Sequence, residues 1–429
     1  MRSHTKSAMK HIQIKIGEFR RRRTCRFCAS TRLAEVLDLG YVPLAGGFLR
    51  EDQLSHENLY PLKLYFCQNC YLLQVLAVVP PRKLFSNYFY HSSSIGTLAK
   101  HFDEMAKELK ITYLRGRHSF AVEVGSNDGV LLRPLRRLGI RCVGIEPAVN
   151  LAKTARKGGF KVINDFFSKR VAENVRETYG EADAIIFCNS FAHIDDMDGV
   201  MNAVKILLKK EGVLIIEVHY VGALLTEMNY DMVYHEHLNY YSLMTLVTFF
   251  NRFGMEIFDV KKIPIHAGSI RCYVRYSGVA CEGISRTVHD MLRDEMKSHF
   301  DSADTFVEFG IRVDESKLEL NSLLQRLKSE GRTIIGYGAS GRATTIMSFC
   351  GIDLSVLDFV VDDSKAKQGY FTPGSHLPIK SWSDAEKLRP DYVLLFAWSY
   401  FDEIMKKRSD YVRKGGRFIL PLPRVRVIS

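Results

Sequence analysis

The sequence predicts an α/β protein that consists of a small β-rich module and two larger units of alternating strands and helices. Three observations support this prediction. Two Cys-x-x-Cys pairs lie within residues 25–70 among short apolar runs. From about residue 85, strand-length apolar runs alternate with helical ones, and a second alternating region begins near residue 333. Such alternation is typical of a parallel sheet with helices on both faces.

Bulk composition is that of a globular protein. The 429 residues suffice for two to three domains, with 46% hydrophobic and 25% charged residues. Of the net charge of +12, +7 falls in the first 24 residues. We predict that residues 1–24 form a solvated or disordered basic arm. Nucleic-acid or membrane-surface contact is the lesser alternative, since no aromatic ladder accompanies the basic run at 20–23.

Cellular context follows from what the sequence contains. It has no secretory signal pattern and no run of about 18 apolar residues, so we expect no membrane partner and a cytoplasmic location. Nine cysteines, four of them in two tight pairs, favour metal ligation in a reducing compartment over a disulfide framework. The oligomeric state is not fixed by the sequence, which is compatible with a monomer.

Residues 25–84 form the predicted β-rich module, with strands near 62–66 and 71–79 around the second cysteine pair. The two pairs can surround one Zn²⁺ as a tetrahedral thiolate cage, and four protein ligands make such a site structural. The alternative is two unrelated pairs or a redox Cys-x-x-Cys. The predicted metal ligands are Cys25, Cys28, Cys67 and Cys70.

Residues 85–255 form the first alternating unit. Its strand 120–124 ends in a glycine-rich turn at 123–129, and the next strand ends at Glu146-Pro147. A carboxylate in that second position can accept both hydroxyls of a ribose. The glycine spacing differs from the G-x-G-x-x-G turn for a pyrophosphate. S-adenosylmethionine (SAM), which has no pyrophosphate, fits better; the alternative is a turn with no ligand.

The predicted cofactor-binding residues follow the ends of the strands in this unit, where the ligands of such folds bind. An adenine ring could meet the segment 164–166 after the third strand. The residues assigned to the cofactor are Glu123, Gly125, Asn127, Asp128, Gly129, Glu146, Pro147, Asp165 and Asn189.

An acid/base cluster lies at residues 234–242, which hold several protonic side chains and a carboxylate in nine positions. The spacing of His235 and His237 does not suit a helical zinc pair, and a loop after the sheet is expected. The alternative is a polar surface loop. His193 follows the fourth strand, where a histidine is either structural or part of the site. Tyr88 and Tyr90 either line the same cleft or pack as core aromatics.

Residues 256–429 are predicted to start with strands at 255–260 and 269–276, followed by a long helical connector over about 284–330. A second alternating unit then begins at 333. Its turn Gly336-x-Gly338-x-x-Gly341, with Asp362 ending the next strand, formally matches a dinucleotide fingerprint. This turn is therefore open to two interpretations, an NAD(P) site or part of a substrate site.

Taken together and in this order, these motifs resemble the SAM-dependent C-methyltransferases that act on nucleotide-linked deoxy-keto-sugars. The resemblance covers nearly all of residues 25–425. Besides the cysteine pairs, the matching segments are 88–93, 123–129, 144–147, 189–193, 234–242, 266–271, 336–345, 367–369, 373–374 and 397–400. The chain departs from the pattern at Gly341-Arg342-Ala343, where many relatives have Ala-Lys-Gly, and in its basic arm.

The resemblance implies a zinc-binding module, a Rossmann-like SAM methyltransferase domain, and a second Rossmann-like domain that helps to bind a nucleotide sugar. A base removes the proton α to the sugar ketone, and that carbon is then methylated. We expect His237 to be the base and Glu236 to tune it, with Tyr234 and His193 at the ketone oxygen and Tyr88 in the same cleft. The expected substrate-binding residues are Tyr90, His266, Arg271, Gly338, Ser340, Arg342 and Lys365.

Two alternatives come from other classes of protein. One is an NAD(P)-dependent oxidoreductase that uses the turn at 336–341. The other is a zinc-containing binding protein without catalytic activity. The sequence names neither the sugar, the carbon nor the nucleotide.

Overall fold

The computed structural model describes residues 15–86, 88, 92–94, 96–279 and 283–429. The N-terminal module contains five short strands. They are β1 Arg20–Arg21, β2 Leu33–Val42, β3 Tyr60–Cys67, β4 Leu73–Val75 and β5 Ala77–Val78. Strands β2, β3 and β4 pair antiparallel, so the predicted β-rich module is present. The two cysteine pairs lie on either side of β2 and β3.

The last residues of the predicted solvated or disordered arm are mostly exposed but are paired with the rest of the protein, and residues 1–14 lie outside the described part of the chain. Strand β1 pairs antiparallel with β5, and Arg20 and Arg22 both form ion pairs with Asp195 of the central domain. The backbone amide of Arg22 also donates to Leu76 at 2.9 Å. A carboxylate distant in sequence therefore holds this basic segment against the protein.

The central domain contains one seven-stranded sheet. Its strands are β6 Phe120–Val124, β7 Arg141–Ile145, β8 Val162–Ile163, β9 Ala182–Cys188, β10 Leu208–His219, β12 Met255–Ile263 and β13 Ser269–Tyr276. The intervening strand β11, Asn239–Tyr240, joins the module sheet beside β4. The order in the central sheet is β12-β13-β10-β9-β6-β7-β8. Pairs from β10 to β8 are parallel, whereas β13 pairs antiparallel with β10 and β12.

The strand order reverses at β6, which lies between β7 and β9. Ligands of such sheets bind outside the carboxyl ends of the strands at this point. The turn at 123–129 is therefore at the expected crevice. The sheet continues through Tyr276, past the predicted domain boundary after residue 255.

Helices cover both faces of the central sheet. They are α1 Pro81–Phe85, α2 Gly96–Thr112, α3 Leu132–Arg137, α4 Val149–Lys157, α5 Lys169–Tyr179, α6 Met197–Leu207, α7 Val221–Thr226 and α8 Leu243–Asn251. Side chains close several of their first turns: Ser168 accepts from Val171 in α5, and Ser242 from Thr245 in α8. These caps satisfy amides that have no partner within the helix.

The long helical connector is two helices, α9 Arg286–Lys297 and α10 Ala303–Ser329. The helical conformation is interrupted between them, because His299 adopts a left-handed φ of 53°. The Ser302 side chain then caps α10 by accepting a hydrogen bond from the backbone amide of Asp304. Apolar periodicity alone did not reveal this break.

The C-terminal domain is a six-stranded sheet. Its strands are β14 Ile334–Tyr337, β15 Val360–Val361, β16 Ile379–Lys380, β17 Tyr392–Leu395, β18 Arg417–Leu420 and β19 Arg426–Ile428. Its helices are α11 Gly341–Cys350, α12 Trp382–Leu388, α13 Phe401–Lys407 and α14 Ser409–Arg413. The order is β16-β15-β14-β17-β18-β19, parallel except for the β18–β19 pair. The order reverses at β14, directly before the glycine-rich turn.

One apolar core joins the N-terminal module to the C-terminal domain. It runs from Leu62 and Leu64 in β3 through Phe306 and Phe309 in α10 to the strands of the C-terminal sheet. Gly310 packs so closely that a Cβ there would lie 2.3 Å from the carbonyl oxygen of Val36. Within the described residues, no helix is both long and apolar enough to cross a membrane.

Candidate functional site

Four cysteine sulfurs meet at the base of the N-terminal module. All four lie within 4.8 Å of one another, with 3.5 Å between Cys25 and Cys70 and between Cys28 and Cys67. Four thiolates about 2.3 Å from one Zn²⁺ would be about 3.8 Å apart in a tetrahedron. The donor set therefore fits a closed zinc site, as the spacing of the two pairs predicts.

A single cavity of about 1270 Å³ lies where the three parts of the chain meet. Pockets for one small ligand typically measure about 300–1,000 Å³, so this volume suits a cofactor and a substrate together. The predicted site residues on its wall are Tyr88, Glu123, Gly125, Asn127, Glu146, Pro147, Asn189, His193, Tyr234, Glu236, His237, His266, Ser340 and Arg342. Tyr90 lies outside the described residues.

The turn after β6 lets a ligand approach the sheet closely. Gly125 has a φ of 79°, and a Cβ on it would lie 2.6 Å from the Cβ of Ser190. At the end of β6, Glu123 is buried, and its Oε2 atom has no hydrogen-bond partner among the described residues. Burial, with the nearby Glu146 and Asp128 carboxylates, raises the pKa of Glu123 well above its ordinary value. A polar ligand group would satisfy this orphaned oxygen.

Glu146 stands at the end of β7, beside the same turn. Its carboxylate accepts hydrogen bonds from the backbone amides of Asn127 and Ala148, both at 2.8 Å. Burial raises its pKa, and these two amides oppose that change. They also fix the carboxylate at the wall of the cavity, where its remaining lone pairs suit ribose hydroxyls.

Three predicted cofactor residues are not on the cavity wall. Asp128 accepts from the hydroxyl of Ser93 at 2.5 Å and so anchors the segment before α2. Gly129 lies against Phe160, where a Cβ would be 2.8 Å from the ring. Asp165 forms an ion pair with Arg170. Phe166 and Phe167 are on the wall instead.

The acid/base cluster is built around His237. Its Nδ1 lies 3.0 Å from the carbonyl oxygen of Met232, so Nδ1 carries a proton and donates it to that carbonyl. Its Nε2 lies 3.0 Å from the Tyr234 hydroxyl and therefore accepts from the phenol. The backbone thus fixes the tautomer that leaves a basic nitrogen beside Tyr234.

His193 stacks against His237, with ring centroids 5.2 Å apart and planes inclined by 20°. Phe85 stacks on its other face at 5.2 Å. Burial lowers the pKa of His193 to about 4 and that of His237 well below its ordinary value. Both imidazoles are neutral near pH 7 and available as bases or neutral hydrogen-bonding groups.

Glu236 does not contact His237 through any hydrogen bond between described residues. Its carboxyl instead meets the backbone of Gly46 in the N-terminal module. Burial raises the pKa of Glu236 to about 7. The orienting partner of His237 is the Met232 carbonyl, so the expected tuning by Glu236 lacks a direct contact.

Tyr88 also lines the cavity. Its backbone is held by Asn150, whose side chain accepts from the Tyr88 amide at 3.1 Å and donates to its carbonyl at 2.8 Å. Its ring lies 5.9 Å from Phe85, the ring that stacks on His193. Tyr88 was expected either to line the cleft or to pack as a core aromatic, and its position on the cavity wall agrees with the first alternative.

The C-terminal wall consists of the turn after β14 and the start of α11. Arg342 makes a two-point ion pair with the buried Asp231, at 2.8 and 3.1 Å, and its guanidinium lies 4.7 Å above the Trp398 ring. Ser340 caps α11 by accepting from Ala343. This wall therefore presents a fixed guanidinium and a helix N-terminus.

Three predicted substrate residues are elsewhere. Lys365 is exposed and not on the cavity wall. Gly338 is behind the wall, where a Cβ would be 2.8 Å from that of Ala397. Arg271 is a buried residue of β13 and forms ion pairs with Glu217 of β10 at 2.8 Å and Glu108 of α2 at 3.3 Å. Its charge is already neutralised there.

Several residues on the wall were missed from the sequence, among them Lys367 and His219. Lys367 points its amine at the carbonyl of Ala339, at 2.6 Å, and lies on the wall where Lys365 was expected. His219 is the last residue of β10, and its Nε2 lies 3.4 Å from the Asn229 amide nitrogen. Its buried Nδ1 has no partner among the described residues. The position of His219 at the end of a strand could have identified it from the sequence as a candidate site residue.

Three family models match consecutive parts of the chain. A "Putative zinc binding domain" matches residues 25–85, a methyltransferase domain matches 99–260, and a C-methyltransferase C-terminal domain matches 264–423. C-methyltransferase NovU of Streptomyces niveus is 34% identical over 406 residues, which cover 94% of this chain and 96% of that protein.

Solved structures resemble only part of the chain. A SAM-dependent methyltransferase from Clostridium acetobutylicum matches 42% of this chain and 92% of its own, with 16% identity and a TM-score of 0.33. The SAM-bound magnesium protoporphyrin IX methyltransferase ChlM from Synechocystis matches 42% and 79%, with 11% identity and a TM-score of 0.32.

Proposed function

Because the chain belongs to the family of SAM-dependent C-methyltransferases with an N-terminal zinc-binding domain, we propose that it methylates the carbon beside a ketone in a nucleotide-linked deoxy-keto-sugar. One observation supports this more than any other. A single cavity joins the crevice around Glu123 and Glu146 to the His237–Tyr234 pair and to the N-terminus of α11. The methyl donor, the reacting carbon and the nucleotide would each contact a different part of the cavity wall.

SAM, when bound, supplies an electrophilic methyl group on a sulfonium. Glu146 would accept hydrogen bonds from its ribose, and Glu123 would meet a polar group with its unpartnered oxygen. Gly125 keeps the backbone clear for this approach. The aromatic rings of Phe166 and Phe167 offer an apolar surface for an adenine.

His237 is the proposed base. A base near neutral pH needs its unprotonated form, and burial keeps this imidazole neutral. Its Nε2 accepts from the Tyr234 hydroxyl. Rotation of that hydroxyl toward the substrate would free Nε2 to take the proton from the carbon α to the ketone, and the same motion would direct the phenol at the oxygen where negative charge develops.

The enolate oxygen needs hydrogen-bond donors, and such donors usually contribute the largest part of transition-state stabilisation. Tyr234 is one donor, since burial raises its pKa well above the ordinary value and keeps its proton. His193 is the proposed second donor, because its ring stacks on that of His237 and lies on the same cavity wall. His219 is proposed as a third: its buried Nδ1 has no partner among the described residues, and in the tautomer with a proton on Nδ1 it would be free to donate.

The nucleotide end is assigned to the C-terminal wall. A diphosphate would meet Arg342, Lys367 and the positive end of the α11 dipole. Asp231 pairs with Arg342 and holds its guanidinium plane in place. Arg342 would therefore act as a fixed hydrogen-bond donor to the diphosphate and would add little net positive charge. Lys367 replaces Lys365 in this assignment.

Glu236 is an alternative base, favoured by one observation. Burial raises its pKa to about 7, so the carboxylate form is available at neutral pH and is basic enough to accept a proton. Glu236 precedes His237 in the sequence and also lies on the cavity wall. Its carboxyl contacts the backbone of Gly46.

The proposal is tested by incubating the protein with methyl-labelled SAM and a panel of nucleotide-linked keto-sugars, and by following a gain of one methyl group by mass spectrometry. A product with the methyl on carbon beside the ketone is expected. Methylation on oxygen or nitrogen, or nicotinamide-dependent turnover of the same panel, would overturn it.

A further inference from the structure

The zinc-binding module makes direct contact with the two loops that carry His193 and His237. Strand β4 follows the second cysteine pair and is flanked by β3 on one side and by β11 on the other. β11 starts two residues after His237. The amide of Val75 donates to the carbonyl of Leu238 at 2.9 Å, and Gln74 is paired with Asn239. The catalytic loop therefore ends as an edge strand of the module sheet.

Gln74 links this strand to the cysteine cluster. Its side chain is buried, and its amide nitrogen donates to the Sγ atom of Cys25 at 3.2 Å. Its amide oxygen accepts from the backbone amide of Arg26 at 3.1 Å and from the Arg26 guanidinium at 3.4 Å. One side chain thus connects a metal ligand, the residue after it and the strand beside the catalytic loop.

Arg26 extends the connection to the second loop. Its side chain is fully buried, and Nε donates to the carboxylate of Asp195 at 2.9 Å. Asp195 stands two residues after His193. The loops are also joined to each other, since Leu238 donates its amide to Ala192 at 2.9 Å.

The ion pair of Arg26 is not readily explained by stability alone. Removing a guanidinium from water is costly, and buried ion pairs are often no more stabilising than apolar residues of the same volume. The guanidinium of Arg26 is held in one place, by the Asp195 carboxylate at 2.9 Å and the Gln74 side-chain oxygen at 3.4 Å. A fixed charge with a planar donor set is instead suited to hold a partner in one orientation.

We propose that Arg26 is a positioning residue, which uses the zinc-bound cysteine knuckle as an anchor to set the placement of the His193 loop against the His237 loop. It touches neither substrate nor cofactor. The inference rests on the proposed roles of the two histidines, but its structural part can be measured without substrate. The zinc site would then act on the alignment of the catalytic rings as well as on folding.

The experiment compares Arg26→Met with Arg26→Lys, and uses Arg21→Met as the matched control on the exposed strand β1. For each variant, zinc content, SAM affinity by calorimetry, and histidine imidazole NMR signals are measured in the full chain. Amide hydrogen exchange is followed in segments 191–195 and 234–240. The segment 123–129, beside the cofactor, is the internal reference.

We expect Arg26→Met to keep one zinc per chain and SAM affinity within about twofold. The His193 and His237 ring signals should shift, and exchange should quicken at least fivefold in the two loops but not in 123–129. Arg26→Lys should restore part of both effects, and Arg21→Met should match the parent. Unchanged ring signals and exchange in Arg26→Met would overturn the proposal.

A second variant covers the case in which Arg26→Met loses zinc. Asp195→Asn removes the Arg26 ion pair from the other side, together with those of Arg20 and Arg22, and leaves the cysteine knuckle intact. The same loop changes are expected at full zinc content, and Arg22→Met, which leaves the Arg26 pair in place, should not produce them. Unaltered loops in Asp195→Asn would also overturn the proposal. Altered loops together with no methylation of any keto-sugar would overturn only the proposed function.

Discussion

The Tyr234 hydroxyl lies 3.0 Å from Nε2 of His237, while Nδ1 of the same ring is held at 3.0 Å by the carbonyl of Met232. The backbone thereby decides the tautomer, and the phenol is placed on the nitrogen that must accept a proton. This pair, with His193 stacked beside it, is the centre from which the catalytic predictions follow.

Replacement of His237 by alanine should lower turnover by roughly two to four orders of magnitude, the usual share of general acid–base catalysis. SAM affinity should stay near that of the parent, because the ring is not part of the crevice at Glu123 and Glu146. The sharper measurement is solvent deuterium exchange at the carbon α to the ketone, without a methyl donor. The exposed His289→Ala is the control. Normal exchange in His237→Ala would transfer the role of base to another residue.

The dependence of turnover on pH separates His237 from Glu236. Burial lowers the pKa of His237, so the neutral base persists below pH 6.5, and kcat should stay level from pH 8 to about 6.5. Burial raises the pKa of Glu236 to about 7, so a Glu236 base would be lost by protonation as the pH falls through 7. An acid limb near pH 7 in the parent, together with loss of turnover at every pH in Glu236→Gln, would show that Glu236 is the base.

His219→Ala should reduce kcat by roughly a hundredfold if its Nδ1 proton meets the enolate oxygen, as for loss of one donor to a developing oxyanion. His219→Asn places an amide N–H near the former Nδ1 and should recover part of the loss. SAM affinity is expected to be unchanged in both variants. Equal losses for asparagine and alanine would speak against a hydrogen-bonding role.

Gly125→Val should abolish measurable SAM binding, because even a Cβ at this left-handed position would lie 2.6 Å from that of Ser190. Glu146→Ala should weaken binding markedly through loss of the ribose contacts. Calorimetry with SAM measures both. Gly139→Val, at a left-handed glycine with no neighbour within 4 Å of its Cβ, controls for backbone strain. Full SAM affinity in Gly125→Val would place the cofactor elsewhere.

Cys67→Ser should lower the zinc content from about one ion per chain and reduce folded stability, because binding of a structural metal contributes directly to folding free energy. Elemental analysis and thermal unfolding measure the two effects. Cys142→Ser is the control, since this cysteine is outside the cluster of four sulfurs. A parent protein purified without chelator but free of metal would contradict the assignment.

The sequence by itself determined the features that depend on local pattern. The cysteine spacing predicted the cluster of four sulfurs, the glycine turn after a strand predicted a crevice at the sheet edge, and the cluster at 234–242 predicted a loop whose polar side chains reach the same cavity. Strand ends were also readable, since ligands of parallel sheets gather at their carboxyl edge. The β6 and β13 strands have the bounds expected from the sequence.

Only the tertiary structure decided which side chains meet across elements that are distant in sequence. In the structure, His237 contacts Met232 and Tyr234 and not Glu236. Arg271 forms a buried ion pair. Lys367 lies on the cavity wall, where Lys365 was expected. These outcomes depend on loop paths and on packing between domains. Apolar periodicity records which face of an element is buried, but it holds no information about the partner of a polar side chain on that face.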